Sequence, residues 1–427
     1  MAALGAMTIS TFVVTEDAKL LAVGNGYPAM DIALTPAGAA DGDAGGRARV
    51  FMVGAGHGHF AAVSEEGNVF AWGENDHGQL GAGAAVVMEE QWPHVPVTQV
   101  PRTVFGDVSI VQVALGMEHS IALSVDGTVY TAGWGREGRL GHGDQADVLL
   151  FTRVAALAAV RVVFVAAGLR MSAMIGDGDG DVFMCGHGPN GELGFGDNRD
   201  DKLVPTRLPT FGVAPTVLVS ASRHVIAVQA DGATWTWGQN RFGQLGLGDV
   251  EDRAQPTVVP FQPVVTVACG VKHTLIVSKS RAVYSCGRGT IGPLAGGEAS
   301  NGLVLARVEG LPSAVSVSVG YGVRSAAVTA RGLLYTWNGW AGNGAYAPVL
   351  HPLDVRVGRF NHILSEPSSV AFAMGSLARL GELSLVRTLP DCVVRRLLEG
   401  CASWPAGPAG AFDGLARLLG GGVFNTM

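Results

Sequence analysis

One phrase recurs along this chain of 427 residues, and it constrains the fold more than any other feature of the sequence. Residues 70–83 read FAWGENDHGQLGAG, and related phrases return at 128–144, 181–197, 233–249, 282–298 and 333–348. Each follows a hairpin turn, and the turns are spaced by 49, 60, 53, 52, 49 and 51 residues at Asp17, Glu66, Asp126, Asp179, Asp231, Ser280 and Arg331. Self-similarity at a period near fifty residues indicates a repeat architecture.

Each copy has the composition of short strands joined by tight turns. A Gly-x-x-His segment leads into an apolar run, a turn follows, and a second apolar run ends in Trp-Gly before a glycine-rich loop. Four turns carry an acidic residue followed by Gly, which supplies the positive φ that a two-residue hairpin needs. Repeated sheets that close radially leave only short strand edges exposed. We therefore predict an all-β, seven-bladed β-propeller of four-stranded antiparallel blades.

The two ends of the chain predict how the ring closes. The N-terminal hairpin lacks a Gly-x-x-His strand of its own, whereas residues 355–365 follow the last repeat. We expect this segment to complete the first blade, so that residues 1–365 form the propeller. Residues 366–427 carry apolar side chains at helical spacing, which predicts a short α-helical C-terminal tail.

Composition restricts the class of protein and its surroundings. The net charge is −7, so nucleic acid is an alternative partner that the charge does not favour. Five cysteines without a CxxC pair, no basic and apolar leader and no long apolar run predict a soluble intracellular protein. We expect a monomer that is not bound to a membrane, and the nucleus, the cytoplasm and a virion remain equal alternatives for its location.

Three patterns resemble ligand sites but fit the repeat better. The glycine-rich loop has no Lys and recurs in each blade, unlike a phosphate-binding loop, which occurs once and opens a helix. The sequence GDGDGD at 176–181 lacks the Glu that a calcium loop places at its twelfth position. The histidines of the Gly-x-x-His segments are too widely spaced to share a metal, and we expect them to cap backbone carbonyls: His59, His119, His224 and His273.

No arrangement of residues in the sequence indicates catalysis. Cys185 and Cys286 take the place that Trp72 and Trp237 hold in other repeats, so we interpret them as core residues and not as nucleophiles. No Ser-His-Asp set or carboxylate pair stands apart from the repeats. We expect no enzyme activity, no metal and no cofactor.

The Gly-x-x-His strand, the WGxxxxGQLGxG loop and the period near fifty residues resemble the regulator of chromosome condensation repeat family over residues 8–365. The resemblance implies a seven-bladed propeller with protein partners such as a small GTPase or histones. Its founding member is an exchange factor for the GTPase Ran, and exchange there is linked to an Asp before a repeat histidine. This chain has Glu118 at the nearest such position.

Two further resemblances concern the tail. The segment LPDCVVRRLLEGC at 389–401 resembles part of an F-box, which implies a ubiquitin-ligase subunit as partner. The tail is also similar to the ends of repeat proteins encoded by giant DNA viruses such as pandoraviruses, which implies a viral origin.

Function is expected where the repeats differ at equivalent surface positions. The residue before the repeat histidine is such a position, and three consecutive repeats place a cation there. We predict a partner-binding surface made of Glu118, Arg170, Arg223, Lys272, Arg324 and Arg359. The predicted function is a non-enzymatic scaffold that binds a protein or chromatin through one propeller face. The alternatives are guanine nucleotide exchange on a Ran-like GTPase and an F-box-like ubiquitin-ligase adaptor.

Overall fold

The fold is known from a computed structural model. The residues that it describes are 9–14, 20–24, 30–32, 34, 47–83, 97–178, 181–196, 199–209, 217–220, 223–229, 231–288, 301–319, 324–329, 333–338, 349–350 and 363–364. The predicted helical tail and Arg359 lie outside these residues.

The described strands form seven four-stranded antiparallel sheets, which we call blades 1 to 7 in chain order. Blade 1 contains β1 (Ile9–Val14), β2 (Leu20–Gly24), β3 (Met30–Ile32) and the last of the described strands, β28 (Ile363–Leu364). Blades 2 and 3 contain β4 (Val50–Ala55), β5 (His59–Ser64), β6 (Val69–Gly73), β7 (Thr98–Gln99), β8 (Ile110–Leu115), β9 (His119–Ser124), β10 (Val129–Gly133) and β11 (Val148–Arg153).

The remaining blades continue in the same order. Blades 4 and 5 contain β12 (Val162–Ala167), β13 (Met171–Gly176), β14 (Val182–Gly186), β15 (Lys202–Arg207), β16 (Val217–Ser220), β17 (His224–Val228), β18 (Thr234–Gly238) and β19 (Arg253–Val258). Blades 6 and 7 contain β20 (Val264–Cys269), β21 (His273–Ser278), β22 (Val283–Gly287), β23 (Gly302–Arg307), β24 (Ala314–Val319), β25 (Arg324–Thr329), β26 (Leu334–Asn338) and β27 (Val349–Leu350). The helices among the described residues are short 3-10 turns at Arg102–Phe105, Arg136–Gly138 and Ala155–Leu157.

The sheets are arranged in a ring. The first strands of neighbouring blades contact one another in sequence from β4 to β24, and β28 contacts both β24 and β4. In blade 1, Phe12 pairs with Leu364 and Val13 with Ile363, so the two ends of the chain share one sheet. The prediction of an all-β propeller with four-stranded antiparallel blades is confirmed.

The hairpin tips follow the turn chemistry that the repeats predict. Gly67, Gly127 and Gly232 have φ of 79°, 87° and 90°, values that residues with a Cβ rarely adopt. In blade 6 the same place is taken by Arg281, with φ of 66°. The backbone shape of the turn is therefore retained where glycine has been replaced.

The repeat histidines join neighbouring blades. In blade 3, the His119 Nε2 lies 3.1 Å from the Ser172 hydroxyl of blade 4, and that hydroxyl donates to the Arg139 carbonyl at 2.6 Å. Since a hydroxyl has one proton, the histidine must donate from Nε2. The same chain of bonds links His59 through Ser120 to the Gln79 carbonyl, and His224 through Thr274 to the Gln244 carbonyl. The expected carbonyl contact is thus made through a hydroxyl.

In blades 2 to 5, a carbonyl of the glycine-rich loop accepts a hydrogen bond from the next blade, but the donor group varies. In blades 4 and 6 the residue after the repeat histidine position carries the donating hydroxyl, as Ser172 and Thr274 do, and it pairs with Cys185 or Cys286 at the Trp position. Where that residue is Val225, the indole of Trp237 donates instead, to the Glu192 carbonyl at 2.8 Å. Both cysteines are buried, and burial raises their thiol pKa to about 12, so they serve as core residues.

Candidate functional site

Two variable positions lie side by side on one face of the propeller. In blades 2 to 6 the third strand ends in a glycine, which we call the third-strand glycine. The residue that follows it donates its backbone N–H to the carbonyl of the residue that precedes the repeat histidine position. This bond, of 2.7–2.9 Å, recurs in five consecutive blades and joins Glu74 to Gly58, Trp134 to Glu118, His187 to Arg170, Gln239 to Arg223 and Arg288 to Lys272. We call these ten residues the paired-position surface.

The charges on the paired-position surface are segregated. Blades 2 and 3 contribute Glu74 and Glu118, whereas cations follow one another through blades 4 to 6 as Arg170, Arg223, Lys272 and Arg288. Among the predicted site residues, Glu118, Arg170, Arg223 and Lys272 are thus all at one equivalent position. Each of these four side chains is partly exposed.

Two of the predicted site residues, Arg324 and Arg359, are not among these four equivalent residues. Arg324 pairs with Asn338 in the register that His273 makes with Gly287, so it occupies the repeat histidine position and not the position before it. Arg324 thus lies one residue beyond the position that the other four share, and its part in the surface stays a prediction. Arg359 lies outside the described residues, and its assignment stays a prediction.

In blades 2 and 5, a side chain of the glycine-rich loop contacts the paired-position residues of the next blade. His77 of blade 2 stacks on Trp134 of blade 3, with ring centroids 4.9 Å apart, and its Nδ1 lies 2.9 Å from Asp147. Phe242 of blade 5 lies against the cations of blade 6, with Lys272 at 5.3 Å and Arg288 at 5.6 Å from its ring centroid. The loop therefore supplies a neighbour that sequence comparison treats only as a variable surface residue.

The loop of blade 3 places a carboxylate against Arg170. Glu137 Oε1 lies 3.1 Å from the Arg170 Nη1, and Glu137 Oε2 lies 2.7 Å from the Nη2 of Arg139. Glu137 has φ of 63°, an unusual conformation for a residue with a Cβ, and its N–H donates to the Gln145 side chain at 2.9 Å. Such a conformation persists where surrounding contacts enforce it.

Arg139 is the buried base of this arrangement. Its side chain is 0% exposed, and its guanidinium lies over the Trp134 ring, 4.6 Å from the centroid. Burial lowers the pKa of Arg139, and the Glu137 carboxylate acts in the opposite direction. Blades 2 and 5 have Gln79 and Gln244 at this position, each accepting a loop N–H through its side-chain oxygen.

Blade 4 differs from its neighbours because its loop leaves the next cation uncovered. The Asn190 side chain is directed to its own loop, where Nδ2 donates to Glu192 Oε1 at 2.6 Å. No hydrogen bond or ion pair joins the Arg223 guanidinium to the part of the chain that the structure describes. Arg223 shares an interblade cleft with Leu169, Arg170, Met171, His187 and Glu192.

The carboxylate residue of this cleft is held by its own loop. Glu192 is 2% exposed, and its carboxylate accepts hydrogen bonds from the backbone N–H and the side-chain amide of Asn190. Within the described ranges, no group of three or more His, Cys, Asp or Glu side chains gathers as a metal site. At the hairpin suggested by GDGDGD, Asp181 pairs with Arg207, while Asp179 lies outside the described residues.

The ring of four-stranded blades and its interblade joints define a repeat β-propeller with a variable, charged face. The Regulator of chromosome condensation (RCC1) repeat matches residues 66–123, 126–175, 179–228 and 231–277. The chain therefore contains RCC1 repeats, and the resemblance expected from its motifs is confirmed. Among the residues described, no helix has the length and apolar character needed to cross a membrane.

Similar proteins have diverse roles. The chain is 37% identical over 256 residues to the ultraviolet-B receptor UVR8 of Arabidopsis thaliana, covering 58% of this chain and 56% of UVR8. It is 31% identical over 325 residues to the human E3 ubiquitin-protein ligase HERC2, covering 73% of this chain and 6% of HERC2. The chain therefore spans about half or less of these relatives.

Solved structures support the propeller fold. Prp20p from Saccharomyces cerevisiae, a protein characterised for binding to Gsp1p and histones, has a TM-score of 0.62 at 24% identity, covering 81% of this chain and 86% of Prp20p. Human WBSCR16 has a TM-score of 0.62 at 21% identity, covering 80% of this chain and 94% of WBSCR16.

Proposed function

We propose that this protein is a non-enzymatic scaffold that binds a protein partner through the paired-position surface. The observation that carries the proposal is the separation of charge on that surface: Glu74 and Glu118 lie on blades 2 and 3, and four cations lie on blades 4 to 6. A surface of this kind fits a partner whose acidic patch is flanked by basic side chains, because complementary potentials favour one orientation.

The same separation disfavours a nucleic acid as the main ligand. A phosphate backbone presents one sign of charge along its whole length. If it followed the cations of blades 4 to 6 onto blades 2 and 3, it would meet Glu74, Asp76 and Glu118. A protein surface can instead place charges of both signs opposite this face.

Charge reversal in the cationic sector tests the proposal. Arg170→Glu combined with Arg223→Glu should weaken capture of an identified partner about tenfold or more, because like charges would then face each other. The matched control is Arg153→Glu with Lys279→Glu, which changes the net charge equally at exposed positions on an outer strand and a hairpin tip. Binding and melting temperature should be measured together. Equal binding by both double variants, at equal stability, would refute the proposal.

Guanine nucleotide exchange is the second candidate, favoured by Glu118. Its side chain is acidic and directly precedes a repeat histidine, and its Oε2 is buried with no hydrogen bond to any described residue. Release of labelled GDP from Ran, measured with the wild-type chain and with Glu118→Gln, tests this function. Acceleration by the wild type that the variant loses would replace the scaffold proposal with exchange. The ubiquitin-ligase adaptor remains a prediction about residues outside those described.

A further inference from the structure

We infer that the cleft between blades 4 and 5 binds a single carboxylate from an acidic segment of the partner, and that Glu137 competes with this carboxylate for Arg170. The inference rests on the proposed function and specifies the chemistry of its central contact. Two arginines, Arg170 and Arg223, line the cleft. Arginine is suited to this role because its planar fork binds carboxylates through paired N–H donors.

The two arginines are in different states. Arg170 is already held by the Glu137 carboxylate at 3.1 Å, and its side chain is 39% exposed. Arg223 makes no hydrogen bond or ion pair to a described residue, because the loop residue that would cover it, Asn190, bonds to Glu192. An incoming carboxylate therefore meets Arg223 as the free cation and competes with Glu137 for Nη1 of Arg170.

The base of the cleft sets the charge of the ligand. Glu192 contributes a carboxylate to the lining and is held there by the backbone N–H and the side-chain amide of Asn190. Because like charges repel, the cleft suits a carboxylate with one negative charge better than a phosphate group, which carries nearly two. The occupant is thus an Asp or Glu side chain of a polypeptide.

The backbone around Glu137 supports its role as an internal competitor. Glu137 adopts a positive φ that the equivalent residues His77, Asn190 and Phe242 do not adopt, and its carboxylate contacts Arg170 of the next blade. The neighbouring Arg139 holds its second oxygen from within the core. Glu137 therefore occupies the place where the partner's carboxylate would meet Arg170.

Binding of a defined peptide tests the inference on the full chain. The probe is a fluorescein-labelled peptide with a run of glutamates between Gly-Ser ends, and its Gln counterpart is the control ligand. Arg223→Gln should weaken binding of the glutamate peptide about tenfold by removing the free cation. Arg153→Gln removes the same charge on outer strand β11 and should leave binding unchanged. Equal effects of the two substitutions would overturn the inference.

Removing the competitor should have the opposite effect. Glu137→Gln should strengthen binding of the glutamate peptide several-fold, while Glu251→Gln, at an exposed carboxylate whose side chain is 81% exposed, should not. Because Glu137 also neutralises buried Arg139, a second variant combines Glu137→Gln with Arg139→Gln, which restores the glutamine present in blades 2 and 5. If neither Glu137 variant differs from Glu251→Gln, Glu137 is not a competitor.

Two further comparisons distinguish a carboxylate ligand from a phosphate, and this inference from the proposed function. A phosphoserine version of the peptide or inorganic phosphate that binds more tightly than the glutamate peptide would overturn the assignment to a carboxylate. Loss of partner capture in the Arg170→Glu and Arg223→Glu double variant, with peptide binding insensitive to Arg223→Gln, would retain the proposed function and refute this inference. Peptide binding that depends on Arg223, with partner capture unchanged in the double variant, would retain the carboxylate site and refute the proposed function.

Discussion

Each repeat histidine is neutral in the native protein because its ring is buried and one of its nitrogens already donates. The His119 Nε2 proton is directed to Ser172, whose own proton goes to the Arg139 carbonyl. Burial lowers the pKa of His59 and His273 to about 3 and that of His224 to about 4, and it also lowers the pKa of His119. A second proton would place a charge inside the joint between two blades.

Stability should therefore fall as the pH is lowered from 7.5 to 5. The unfolded chain binds protons on His59, His224 and His273 near pH 6.5, whereas the native chain does not until the pH reaches about 3 to 4. Stability is thus fully present above pH 6.5 and is lost below it, by up to about 1.4 kcal/mol per pH unit for each histidine. Urea unfolding at several pH values measures this slope.

The variant His273→Gln provides the internal comparison for this slope. Glutamine can still bond the Ser325 hydroxyl that His273 contacts at 3.1 Å, but it does not titrate. Its pH dependence between 7.5 and 5 should be shallower than that of the wild type by the contribution of one histidine. A slope identical to that of the wild type would contradict the assignment of the pH effect to the joints.

At the scale of the element, in the joint between blades 4 and 5, an indole of the third strand compensates for the hydroxyl that Val225 lacks. In strand β18, Trp237 pairs with Val225, and its indole N–H donates to the Glu192 carbonyl. In strand β14, Cys185 pairs with Ser172, whose hydroxyl donates to the Arg139 carbonyl. Met171 takes the histidine position in blade 4 and packs in the same apolar cluster as Val225. The joint between blades 4 and 5 thus has the apolar pair Met171 and Val225, together with an indole donor, where other joints have a histidine and a hydroxyl.

This compensation predicts a rescue. Trp237→Phe should lower the free energy of unfolding by about 1–3 kcal/mol, because the buried Glu192 carbonyl loses its donor. Adding Val225→Thr should recover part of the loss, since Thr274 makes the equivalent bond in blade 6 at 2.8 Å. Trp235→Phe on the same strand is the control, because that half-buried indole contacts Gln229 and not the joint. Denaturant unfolding that shows no recovery for the double variant would exclude the exchange.

At the scale of the whole molecule, the ring depends on a short strand from the far end of the chain. Strand β28 pairs with β1 and contacts both β24 and β4, so it connects blade 1 to its two neighbours. Without it, the first strand of blade 1 would be an unpaired edge, and exposed edges invite fraying and association with other chains.

Two truncations test this closure. A chain ending at residue 354 lacks β28, and a chain ending at residue 365 keeps it. The shorter chain should melt at a lower temperature, and its blade 1 amides should exchange faster with solvent, because β1 loses a hydrogen-bonded neighbour. The longer truncation is the control for removal of the tail. Equal melting temperatures and equal exchange in β1 would show that β28 does not hold the ring.

The sequence by itself determined the blades, because their signals are local and repeated. Positive-φ glycines such as Gly67 and Gly127 fix the turns, and alternating apolar residues fix the strands, with each signal lying within one repeat. The position before the repeat histidine could also be aligned from the sequence, and it located Arg170, Arg223 and Lys272 at equivalent places. The adjoining residues His187 and Arg288 follow the third-strand glycine, and the same alignment could have found them.

The tertiary structure alone decided which side chains meet across the blades. Glu137 reaches Arg170, 33 residues away, and Phe242 lies against Lys272, because the loop of one blade covers the pair on the next. Whether a loop side chain covers that pair or turns back, as Asn190 does toward Glu192, depends on backbone conformation and competing hydrogen bonds. Neither has a signature within a single repeat, so the open state of Arg223 emerges only when the blades are packed together.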